Sequence, residues 1–281
     1  MIKTDNATVL NILGTYLNNY PNIIKEKNIK EITKIGVSTN KAFLLLFKNI
    51  FDIPDDLFDH YFPKIIKEEK IEDYQDNPYL KNVLVKPVAM NEWEIKYTPL
   101  PKYFGFVSND FKCDFDGRIY PQIGYFTKDY SYLSIYQNDR LWMSITPNEM
   151  NTMKEPINHA FGHVTTLGLG LGYFAYMVSL KDEVTKVDIV EIDENVIRLF
   201  LKYIYPFFPH PEKISIINMD ALDYINMDFD SDYVFCDLWH DVSDGLPLYK
   251  KISHIASFHK DKIFEYWIYD TMKYYLKSGD E

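Results

Sequence analysis

The chain has 281 residues, 47% of them hydrophobic, enough for the core of one large domain or two small ones. Thirty Lys plus Arg stand against 41 Asp plus Glu, and the net charge of −11 disfavours nucleic-acid backbones and anionic lipid as partners. Two cysteines, Cys113 and Cys236, set neither a disulfide framework nor a metal spacing. No apolar run approaches the ~18 residues of a membrane span, and the N-terminal MIKTDNATVL lacks a secretory pattern; the expectation is a cytoplasmic protein with no membrane partner.

Residues 1–80 read as a helical N-terminal region. Asn6 or Thr8 is placed to cap a helix carrying Val9, Leu10, Ile12, Leu13 and Leu17, which Pro21 ends. Thr39 or Asn40 is placed to cap a second, with Phe43, Leu44, Leu45 and Phe47 buried, and residues 55–70 form a third amphipathic stretch. From 81 to 150 the period changes to two. Strands are expected at Val83–Val88, Glu92–Tyr97, Tyr103–Val107, Ile123–Phe126, Tyr132–Tyr136 and Trp142–Ile145, with turns at Asp116-Gly117 and Asn138-Asp139, which make a small antiparallel β module. From 151 to 281 strands and helices alternate. Strands are expected at Val164–Leu167, Lys186–Glu191, Ile214–Asn218, Tyr233–Leu238 and Lys262–Trp267, with helices at 171–180, 194–205, 221–226 and 246–257. That alternation predicts an α/β fold with a doubly wound, mostly parallel, Rossmann-like sheet.

Within this third segment TTLGLGLGYF brings Gly168, Gly170 and Gly172 to the end of the first expected strand, a turn that lets backbone approach a ligand closely. Glu191 lies 23 residues beyond Gly168 and closes the next strand, where a carboxylate accepts hydrogen bonds from the vicinal hydroxyls of a ribose. Ile192 follows it, and Asp193 is the natural cap of the next helix. Asp220 and Asp237 end the third and fourth expected strands, on the same carboxyl edge. His159 and His163 have helical spacing but no acidic partner of the HExxH type, so no metal is expected.

These residues resemble the class I S-adenosylmethionine-dependent methyltransferases, and within that superfamily the spermidine synthase-like branch. GLGLG at 168–172 resembles the glycine motif, VEIDENVI at 190–197 the segment after the second strand, MDALDYI at 219–225 the adenine-contacting segment and DYVFCDLW at 232–239 the strand leading to the catalytic aspartate. LWMSITPNE at 141–149 is similar to the passage from that branch's β module into its substrate loop. The resemblance implies that Gly168, Gly170, Gly172, Glu191, Ile192, Asp220, Ala221 and Asp237 bind the cofactor. It implies that Asp237 faces the transferred group. Asp237 and His240 share one strand-end loop and are the candidate bases for an amine acceptor. Trp239 is the candidate wall or cation–π face of the acceptor pocket, with Thr146, Asn148 and Glu149 as further substrate residues.

Two features depart from the aminopropyltransferase pattern: Leu171 replaces the acid of GGGDG, and Asp237-Leu238-Trp239-His240-Asp241 replaces D-S-S-D; Thr166 stands where the methyltransferases carry an acid just before the first glycine. Only about 40 residues follow Asp237, so the sheet is expected to be short or completed from elsewhere in the chain. The favoured expectation is a methyltransferase using S-adenosylmethionine on a small amine-containing or neutral acceptor. The alternatives are an aminopropyltransferase using decarboxylated S-adenosylmethionine and a nucleoside-binding protein without catalysis. The partner is a small molecule rather than a nucleic acid, and a homodimer is the assembly considered.

Overall fold

From Val187 to Glu191 every side chain is buried, as are all four of Tyr233–Cys236. Such unbroken apolar runs belong to strands covered on both faces. In the computed structural model, which describes residues 2–279, they lie in a five-stranded sheet. Its strands, in chain order, are Gly162–Leu167, Val184–Glu191, Ile214–Asn218, Tyr233–Cys236 and Ile263–Tyr266. Every neighbouring pair is parallel, and the spatial order is third, second, first, fourth, fifth. The winding direction reverses between the first strand and the fourth, the switch point of the sheet. This is the α/β, Rossmann-like architecture expected from the sequence, and the sheet stops at five strands.

The connecting helices start where short acids cap them. Asp193 accepts from the Asn195 amide at 2.7 Å before Glu194–Tyr203, and Asp220 from the Leu222 amide at 2.7 Å before Ala221–Asn226. Asp241 and Asp244 form a reciprocal capping box at the start of Val242–Ala256, which begins four residues earlier than the apolar pattern suggests.

The compact units do not follow the three segments 1–80, 81–150 and 151–281. One unit comprises the chain up to Gln75 with Tyr97–Tyr132 and Thr146–Asn151; the other comprises Asp76–Lys96, Leu133–Ile145 and the chain from Thr152 on. In the first unit the helices Ile2–Asn19, Thr39–Ile50 and Asp55–Ile65 share a core with a three-stranded sheet ordered Ile66–Glu68, Ile119–Tyr125, Phe106–Cys113. Phe43 stacks on Tyr125 with ring centroids 3.9 Å apart.

Several local expectations change. The first helix already runs from Ile2, so Asn6 is not its cap but a buried polar anchor. Its amide donates to the Gly117 carbonyl and its oxygen accepts from Tyr61. Ser38 caps the Thr39–Ile50 helix, while Asn40 accepts from the Glu68 amide and the Tyr125 hydroxyl. Residues 66–68 leave the third amphipathic stretch and pair as a strand alongside 123–125. The antiparallel module is a four-stranded sheet ordered Val88–Met90, Trp93–Leu100, Tyr130–Gln137, Arg140–Ser144. Residues 83–87 form no strand; the first strand of this sheet begins only at Val88, and Asn77 and Pro78 start a short helix, Pro78–Asn82, ahead of it.

Candidate functional site

The site is built on the carboxyl ends of the first four parallel strands, in the second unit. Leu167 ends the first strand, and the chain turns through Gly168, Gly170 and Gly172 with φ of 98°, 50° and 71°, all in the left-handed region that glycine tolerates. A side chain at Gly168 would overlap the Asp237 carbonyl oxygen, because the first and fourth strands close on each other there. The open faces of the other two glycines are taken by protein rather than left for a ligand. A Cβ at Gly170 would overlap the Met143 sulfur, and one at Gly172 would come within 2.5 Å of the Phe200 ring.

Glu191 occupies the end of the second strand and is only 7% exposed. One of its oxygens accepts from the Leu169 amide in the glycine turn at 3.2 Å, the other from the Asp193 amide at 2.8 Å. Burial raises its pKa, and the backbone donors of Asp193, Leu169 and Ile192 work against that rise. A carboxylate offers about four acceptor directions, more than these backbone donors fill.

A cavity of about 150 Å³ adjoins it, lined by Val190, Glu191, Ile192, Met219, Asp220, Ala221, Leu222, Leu238 and Leu248. Thus Glu191, Ile192, Asp220 and Ala221 are brought to one crevice. Ile192 stands 65% exposed at its rim. The volume is below the ~300–1,000 Å³ of a site that encloses a whole small molecule.

Asp237 follows the fourth strand, its amide bonded to the Leu167 carbonyl at 3.0 Å. The residue is half-buried, and burial pushes its carboxyl up to about 7 from the ordinary 3.8. Among the described residues no hydrogen bond or cation counters that rise. Burial thus favours the protonated form of this carboxyl.

The remaining candidates are placed differently. His240 is exposed, and its ring Nδ1 lies 3.1 Å from Asp244 at the start of the Val242–Ala256 helix. Trp239 is 5% exposed, packs against Gly245 and does not line the cavity, so it presents no open ring face there. Thr146, Asn148 and Glu149 belong to the first unit, where Thr146 accepts from the Glu149 amide at 3.3 Å and starts the helix Pro147–Thr152. They do not line the cavity. Met143, Leu238 and Leu248 were not foreseen as site neighbours. Nothing in an apolar residue's own sequence neighbourhood distinguishes a ligand wall from ordinary core.

No family model matches the chain, and no curated protein does. Solved structures overlap it in part. Spermidine synthase from Thermotoga maritima aligns over 44% of this chain and 49% of its own, with 15% identity and a TM-score of 0.32. A spermidine synthase bound to the transition-state analogue AdoDATO aligns over 39% and 43%, with 15% identity and a TM-score of 0.30. A Streptococcus mutans protein described as a SAM-dependent methyltransferase aligns over 45% and 36%, with 17% identity and a TM-score of 0.34. The match spans about half or less of those chains' own length, and the functional argument rests on the geometry of this chain. Among the described residues no His, Cys, Asp and Glu cluster is placed to hold a metal, and no helix is long and apolar enough to cross a membrane.

Proposed function

We propose that the protein is an S-adenosylmethionine-dependent methyltransferase acting on a small amine-containing or neutral acceptor. The observation that carries this reading is Glu191: a buried strand-end carboxylate, fixed by backbone amides, with acceptor capacity left over beside a small crevice that Asp220 and Ala221 also line. Glu191 would accept from the two ribose hydroxyls, and Asp220 and Ala221 would flank the adenine. When bound, S-adenosylmethionine supplies a methyl group already activated on a sulfonium. The protein's task is then to orient and to move a proton, and good orientation alone is worth ~7–11 kcal/mol. Asp237, whose carboxyl is pushed up to about 7, is the group suited to take a proton from an amine acceptor. His240, exposed and bonded to Asp244, is the weaker candidate.

One observation favours a second reading, a nucleoside-binding protein without transfer. Met143 covers Gly170, and the crevice is small, so the donor's amino-acid tail has no ready place unless Met143 moves.

Titration calorimetry with S-adenosylmethionine tests the first reading. Binding is expected, and Glu191→Ala is expected to weaken it about 100-fold by removing two charge-assisted hydrogen bonds. Absence of binding, or equal binding by the variant, refutes it. An acceptor panel then separates transfer from mere binding. It includes decarboxylated S-adenosylmethionine with putrescine or spermidine, and turnover with that donor alone would make the protein an aminopropyltransferase.

A further inference from the structure

We infer that Tyr79, a residue remote in sequence from the glycine turn, is the positioning residue that holds the turn in its ligand-ready form; the ligand half of this inference rests on the nucleoside reading above. The helix Pro78–Asn82 lies in the same compact unit as the turn, and it and its cap are hydrogen-bonded to the turn and to the helix Tyr173–Ser179 that follows it. Asn77 caps this helix by accepting from the Tyr79 amide at 2.9 Å, and its own amide group donates to the Tyr173 hydroxyl at 2.7 Å. Asn82 donates to the Tyr176 hydroxyl at 2.8 Å. Only Tyr79 reaches the main chain of the turn: its ring is fully buried, and its hydroxyl donates to the Leu171 carbonyl at 2.6 Å. Edge-on contacts with Tyr173 and Tyr176, at centroid distances of 5.4 and 5.2 Å, fix the ring itself.

That one bond decides a two-way choice. The peptide joining Leu171 to Gly172 has its carbonyl held by Tyr79 and its N–H held by the Leu169 carbonyl at 2.8 Å. Rotation of a peptide unit is cheapest where the following residue is glycine, and Gly172 already sits at φ 71°. Without the phenol only one end of this unit would be anchored. The Leu169 amide on the other side of the turn donates to Glu191 at 3.2 Å. Tyr79, the 171–172 peptide, Leu169 and Glu191 are therefore linked by hydrogen bonds that meet at the Leu169 backbone. They end at the carboxylate that would grip the sugar.

Tyr79→Phe keeps the ring and removes only the hydroxyl. Asn82→Ala loosens the same short helix without touching the turn's backbone. Hydrogen exchange on the full chain is expected to show faster exchange at the Leu169 and Gly172 amides in Tyr79→Phe, by roughly 3- to 10-fold, and no change there in Asn82→Ala. Titration with S-adenosylmethionine is expected to show affinity weakened by roughly 3- to 10-fold in Tyr79→Phe alone. The inference is overturned if the two variants behave alike in exchange at the turn, or if Tyr79→Phe binds as the parent does. Failure of the parent to bind refutes the nucleoside reading instead, and the exchange rates still decide whether Tyr79 holds the turn.

Discussion

At the residue scale the chemistry concentrates in two carboxyls with different surroundings. Glu191 is buried but receives two backbone amides, so it remains an acceptor built into the strand end. Asp237 is pushed up to about 7 by burial, and among the described residues no donor opposes the shift. The sign of the consequence follows. A carboxyl raised from 3.8 favours its neutral form in the folded protein, so its contribution to stability is full below pH ~4 and is lost as pH climbs through about 7. Asp237→Asn is expected to flatten that part of the melting temperature profile between pH 4 and 7. If Asp237 is the base, turnover by the parent rises through pH 7 and levels above it; a profile flat across that range argues for another group. Both acids stand out in the sequence because each ends an apolar run. The burial of the two is not visible there, since it depends on elements far along the chain.

At the scale of elements, the glycine turn shows how one sequence signal serves two ends. Alternate glycines suggest close approach by a ligand, but close approach by protein produces the same spacing. Gly168 is confined by the Asp237 carbonyl, Gly170 by Met143 and Gly172 by Phe200. Gly168→Ala combines a φ of 98° with overlap on backbone that cannot yield, and is expected to destabilise the fold by ~3 kcal/mol, read from denaturant unfolding. A loss under ~1 kcal/mol would mean the two strand ends separate readily. The helices with capping acids, Glu194–Tyr203 and Ala221–Asn226, were legible because the cap and the apolar period agree. The short helix Pro78–Asn82 was not picked out from the sequence, although Asn77 and Pro78 carry a start signal. Its part in holding the turn depends on Tyr79 meeting Leu171 across more than ninety residues, a contact no local pattern encodes.

For the whole molecule, a net charge of −11 means that like charges repel in the folded state. Raising salt from ~0.01 to ~0.15 M shortens the screening length from ~30 to ~8 Å. The melting temperature is therefore expected to rise over that range, and a fall would show that attractive ion pairs dominate. The alternating apolar pattern by itself determined the parallel sheet, the order of its strands in the chain and the acids at their tips, because a strand buried on both faces leaves a continuous apolar run that stops at the edge. Only the tertiary structure decided how the chain is shared between two units, which acids face a common crevice, that Trp239 is packed away, and that Met143 and Tyr79 flank the glycine turn. The physical reason is range. Periodicity and capping act over a few residues, whereas burial, cavity shape and the partner of a buried hydroxyl are set by segments that meet only when the chain has folded.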